Sequence, residues 1–79
     1  MRSDLERASD IVDAIARIRR HTSGGRAEFD SSELIQVWVV HHLQLVGEAA
    51  NGLSEQARAR ESGVSWRNVI GMRHVLVHG

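Results

Sequence analysis

The sequence predicts an all-α fold: a small up-and-down antiparallel bundle of about four helices in one domain over residues 1–79. Three observations carry this. Helix-start patterns precede stretches in which apolar residues recur three and four positions apart. Breaks bearing glycine, Ser23-Gly24-Gly25, Asn51-Gly52 and Gly63, separate those stretches. Proline is absent throughout, and no repeat or low-complexity run interrupts the pattern.

Ser3-Asp4-Leu5-Glu6 reads as a capping box, with the Ser3 hydroxyl accepting from a backbone N–H and Glu6 reaching back. Leu5, Ala8, Ile11, Val12, Ile15 and Ile18 then mark one apolar side of a helix of about twenty residues. A second start is expected at Asp30, with Glu33 three positions on and Phe29 and Leu34 placed as a hydrophobic staple. From Leu34 to Ala50 apolar residues occupy more than one face, as in a central helix buried between neighbours. The β-branched run Val37 to Val40 also suits a strand, but the length of the periodic segment favours helix. A short polar connector helix follows from about Ser54 to Glu61. The last helix opens at the N-cap Ser65 and carries Trp66, Val69, Ile70, Met72, Val75, Leu76 and Val77. Its apolar residues lack a following element to cover them, so a terminal helix or a partner's surface is expected there.

A chain this short draws only a few kcal/mol of net stability from its own core, which makes association, a homodimer above all, an expectation. Without cysteine it has no disulfide and no thiolate metal site. No run approaches the roughly 18 to 20 apolar residues of a membrane span, and the charged N-terminus does not read as a signal peptide. No membrane association and a cytoplasmic location are expected. The ten acidic and ten basic residues cancel, which excludes binding through a broad basic field and restricts any RNA contact to a local site. Every basic residue is arginine, suited to bidentate phosphate or carboxylate contacts, although a GC-rich genome gives the same bias.

Arg67, Asn68, Arg73, His74 and His78 stand out on the last helix. An arginine can hold a phosphodiester, and an imidazole can move the 2′-hydroxyl or leaving-group proton of RNA cleavage. The plainer reading gives Arg73 a salt bridge to Glu48 of the central helix and makes His78 a helix-end histidine favoured by the dipole. At 100° per residue Arg73 and His78 lie about 140° apart, so they do not meet on one face of one ideal helix. Either the helix bends near Gly71 or at its end, or the two line a cleft to which two subunits contribute. The pairs His74/His78 and His41/His42 lack a third ligand, so no metal and no other cofactor is expected. Of His41 and His42, one is expected to be exposed and the other to pack at an interface. Glu48, beside Gly47 and Ala49 on the buried helix, requires a cationic or hydrogen-bonded partner, and Arg73 is the nominee.

Arg73, four residues, then His78-Gly79 match the front of the Arg-x(4–6)-His-x-Tyr signature of HEPN domains. With Val46-Gly47-Glu48-Ala49-Ala50, Leu53-Ser54 and the run from Val64 to Arg73, the chain resembles the HepT-like branch over essentially its whole length. The resemblance implies a helical bundle that dimerises through its signature helices to form a metal-independent endoribonuclease cleft. It further implies a toxin partnered by a minimal nucleotidyltransferase antitoxin, with Arg73 orienting the scissile phosphate of the RNA substrate and His78 as acid–base group. His74 stands where the family usually has a polar residue, often asparagine, and joins Glu48 as a supporting residue. The sequence has no tyrosine, so the signature's last member is missing, and the HepT-like domain is expected to be incomplete at its C-terminus. Two other readings compete: a binding module for a nucleotide, RNA or the partner nucleotidyltransferase, and a folded but inactive truncation.

Overall fold

The computed structural model describes residues 2–78, with side chains for residues 2–76. It is all-α, with five helices and no strand among the described residues: α1 (Asp4–His21), α2 (Arg26–Ser31), α3 (Glu33–Gly52), α4 (Glu55–Arg60) and α5 (Trp66–His78). The first helix starts as its sequence requires. Ser3 Oγ accepts from the Glu6 N–H at 3.1 Å, and the Glu6 carboxylate accepts from the Ser3 N–H at 3.2 Å. That second bond, reinforced by the Ser3 hydroxyl, holds the Glu6 carboxyl below its ordinary pKa.

The start expected at Asp30 is displaced. Gly25, at φ 88°, adopts the left-handed conformation that glycine accepts without steric cost and launches the short helix α2. Asp30 therefore lies inside a helical turn, 3.5 Å from Arg26 Nε, and is not a cap. The N-cap of α3 is Ser32, in extended conformation, whose Oγ accepts from the Ile35 N–H at 3.2 Å. Leu34 is 82 % exposed, so the staple with Phe29 does not form. Gln36 Nε2 instead ties the two helices, donating to the carbonyls of Phe29 (3.0 Å) and Asp30 (3.2 Å).

The central helix is α3, which packs against α1 on one side and α5 on the other. Its run Val37 to Val40 is helical. Only its C-terminal half is deeply buried, through His42, Val46, Gly47, Ala49 and Ala50. Leu34 and Val37 face outward, contrary to the expectation of burial all round. Opposite ends of α1 and α3 are linked, which fixes them as antiparallel. Asp4 accepts from the Ser54 N–H (2.8 Å) and hydroxyl (2.6 Å), while Trp38 Nε1 donates to the Arg17 carbonyl at 3.4 Å. The core between them is made of small side chains, Ala14, Ala49 and Ala50, with Val46 and Leu53.

The two bonds from Ser54 hold the Asp4 carboxyl below its ordinary pKa, the hydroxyl bond first, with Arg60 and Arg7 adding to the effect. A lowered folded-state pKa contributes stability that is present above the unfolded value of about 3.9 and lost as pH falls through the folded one. Asp4→Asn is therefore expected to lower Tm at pH 7, with the gap to the parent chain closing as the pH is taken below 3.9 toward the folded-state value of Asp4. Thermal melts across that range check this.

Ser54 also caps α4, accepting from the Ala57 N–H at 3.1 Å. The return to α5 is secured by Trp66, whose Nε1 donates to the carbonyls of Arg58 (3.0 Å) and Glu61 (3.2 Å) at the open end of α4. Trp66→Phe keeps an aromatic ring and removes that donor. A loss of about 1 kcal/mol, read as a lower urea midpoint with unchanged slope, is expected. Among the described residues no helix is long and apolar enough to cross a membrane.

Candidate functional site

The site begins with a glycine. Gly47 on α3 lies directly against α5, where a Cβ would collide with Arg73 Cβ and stand 3.3 Å from both Arg73 Cα and the Val69 carbonyl oxygen. Gly47 therefore seats Arg73, and the backbone contact fixes where that residue leaves α5. The half-buried Arg73 makes no ion pair among the described residues. A guanidinium held at a helix interface without a carboxylate is suited to receive an anion in bidentate geometry.

Glu48 does not supply that carboxylate. It is exposed, and one step around α3 from Gly47 it turns toward α1, where it lines a groove with Arg7, Arg17 and His42. The expected Glu48–Arg73 pair is absent because 100° of helical rotation separates Glu48 from the face that meets α5. His74, next to Arg73, is exposed. Helix α5 runs as one α-helix from Trp66 to His78 and does not unwind at Gly71. The His78 side chain lies outside the described residues, and with it the His74/His78 pair. Among the described residues no group of histidines and acids is arranged to hold a metal ion.

His41 and His42 part as expected, the first exposed and the second 2 % exposed. The buried ring packs on Trp38, centroids 4.3 Å apart, and His21 meets the Trp38 ring at 4.9 Å. Sequence reasoning assigned no ligand role to this groove. The available signal was register: His42 follows Trp38 by one turn and precedes Val46, Ala49 and Leu53 on a single stripe.

Against known families, residues 11–79 match the model described as Ribonuclease HepT-like. The chain belongs to the HepT-like ribonuclease family. It is 27 % identical over 74 residues to a protein of Methanocaldococcus jannaschii named "Putative RNase MJ1380", covering 94 % of this chain and 62 % of that one. A protein of Caldanaerobacter subterraneus subsp. tengcongensis named "Putative RNase TTE0752" is 38 % identical over 39 residues, 49 % of this chain and 35 % of that one. The chain thus spans about three-fifths of the first relative's length and about a third of the second's. No solved structure matches it.

Proposed function

We propose that this HepT-like chain is the catalytic part of a toxin that cleaves RNA without a metal, partnered by a minimal nucleotidyltransferase antitoxin. The observation that carries the reading is Arg73: half-buried, seated on Gly47 and without a carboxylate partner among the described residues. In the proposed reaction Arg73 binds the scissile phosphate and offsets the charge that builds on it. His78 removes the proton of the 2′-hydroxyl as it attacks phosphorus, and an imidazole returns a proton to the departing 5′-oxygen.

The unbroken course of α5 favours a cleft shared by two copies, in which Arg73 of one faces His78 of the other. Thin packing within one chain supports association: Val75 is 63 % exposed and Val37 61 % exposed. His74 is a supporting residue, a hydrogen-bonding group beside Arg73, whereas Glu48, turned to the α1 side of α3, takes no part in this site. A single domain over residues 1–79, acting in the cytoplasm, completes the reading.

The test is incubation of a mixed RNA with the purified chain in EDTA. Cleavage that continues in chelator is the expected result. Cleavage that appears only when a divalent ion is restored overturns metal independence, and no cleavage in either condition overturns catalysis by this chain.

A further inference from the structure

Among the described residues His42 is the one buried histidine, and the mechanism above does not use it. Its Nδ1 lies 2.8 Å from the Trp38 carbonyl oxygen. A carbonyl can only accept, so Nδ1 carries the hydrogen and Nε2 of the neutral ring keeps its lone pair. Among the described residues no buried side-chain polar atom lacks a partner, and Nε2 makes no hydrogen bond to any of them. It therefore reaches solvent, and it does so where the ring borders the groove between α1 and α3. A ring otherwise closed off presents one acceptor of fixed tautomer to that groove.

The groove holds about 370 Å³, toward the lower end of the roughly 300–1,000 Å³ of small-ligand sites. Its charges are arranged along its length. Asp13, Arg17 and Glu48 line it with His42, and the Trp38 bond to the Arg17 carbonyl ties that turn of α1 to α3. At the C-terminal end of α3 the Arg7 guanidinium lies over Gly52. Arg7 and Arg17 are ten residues apart on α1, about 15 Å along the axis. Arg2 is held by Asp10 at 2.9 Å, whereas Arg7 and Arg17 enter no ion pair among the described residues.

A ligand filling this groove must offer hydrogen-bond donors to Nε2 and to the Asp13 and Glu48 carboxylates, and anionic oxygens to the guanidiniums. A nucleotide does both, with the edge of its base and with its phosphates. We propose that the α1–α3 groove seats one nucleotide of the RNA strand, its base edge donating to His42 Nε2 and its phosphates held by Arg17 and Arg7. The subsite is separate from Arg73, which packs on the α5 side of α3, and it rests on RNA being the substrate.

The experiment is a titration of the chain, in EDTA, with adenosine 3′,5′-bisphosphate, read through the ring ¹⁵N resonances of His42. A saturable shift at Nε2 with Nδ1–H retained is expected, weakened about tenfold or more by Arg17→Gln, an exposed change that leaves the core intact. The base-free ribose bisphosphate should leave Nε2 unmoved. No shift at millimolar bisphosphate, or an equal shift with inorganic phosphate, overturns the proposal. RNA cleavage by Arg17→Gln gives the second arm: KM is expected to rise about tenfold with kcat kept, and an unchanged KM counts against the subsite. Failure of the parent chain to cut RNA would sink the ribonuclease reading alone, because the bisphosphate titration still decides the groove.

Discussion

Gly47→Leu is expected to lower stability by about 2–3 kcal/mol or more, a fall in Tm of roughly 10–20 °C for a chain of this size. The leucine must displace α5, because the first carbon added already meets Arg73 and the backbone of the facing helix. Better helix propensity returns only about 1 kcal/mol. Gly71→Ala is the matched control: Gly71 is also a helical glycine, but a Cβ there meets nothing within 4 Å. It is expected to raise stability by about 0.5–1 kcal/mol. Melting curves of both variants separate the cost of close approach from the general cost of glycine in a helix. Equal shifts in the same direction would show that Gly47 does not hold α5.

Arg73→Ala is expected to lower kcat/KM for RNA by about 10²- to 10³-fold, the loss that follows removal of a group stabilising transition-state charge. Arg73→Lys should recover only part of this, since an ammonium keeps the charge but not the two-pronged geometry. Stability should change little, because Arg73 is in no ion pair that the substitution would break. A variant that is fully folded and cuts as fast as the parent would remove Arg73 from the chemistry.

Where local chemistry decides, the sequence was readable. Ser3 with Glu6 and Ser54 at the start of α4 cap as their residue types require, and the long periodic stretches became α1, α3 and α5. The start of α3 was misjudged because two cap-forming residues, Asp30 and Ser32, lie within one turn. The choice between them was made by Gly25, whose positive φ starts α2 early enough to enclose Asp30. Apolar residues on more than one face of α3 point to burial of Leu34 and Val37, yet both are exposed. Periodicity shows which residues share a face, but not whether another element of the chain covers it.

At the site, Gly47 and Arg73 stand out in the sequence, yet their contact was not legible, because the two residues are 26 positions apart and meet only through how α3 and α5 cross. The Glu48–Arg73 pair was inferred from chemical need, and the rotation between positions 47 and 48 turns that carboxylate toward α1 instead. That one of His41 and His42 is exposed and the other packed was legible, but which one was not. The role of His42 as the acceptor of a charged groove requires the Trp38 carbonyl bond that fixes the tautomer.

The central claim is a cleft shared between two copies, and mixing two inactive variants tests it most directly. Arg73→Ala and His78→Ala chains, each shown to fold, are denatured together, refolded as a mixture and assayed on RNA in EDTA. If Arg73 of one copy works with His78 of the other, each mixed pair regenerates one intact site of two. About half of the pairs are mixed, so roughly a quarter of the parent activity should return. A mixture as inactive as either variant alone, with mixed pairs demonstrated by mass, would contradict the account.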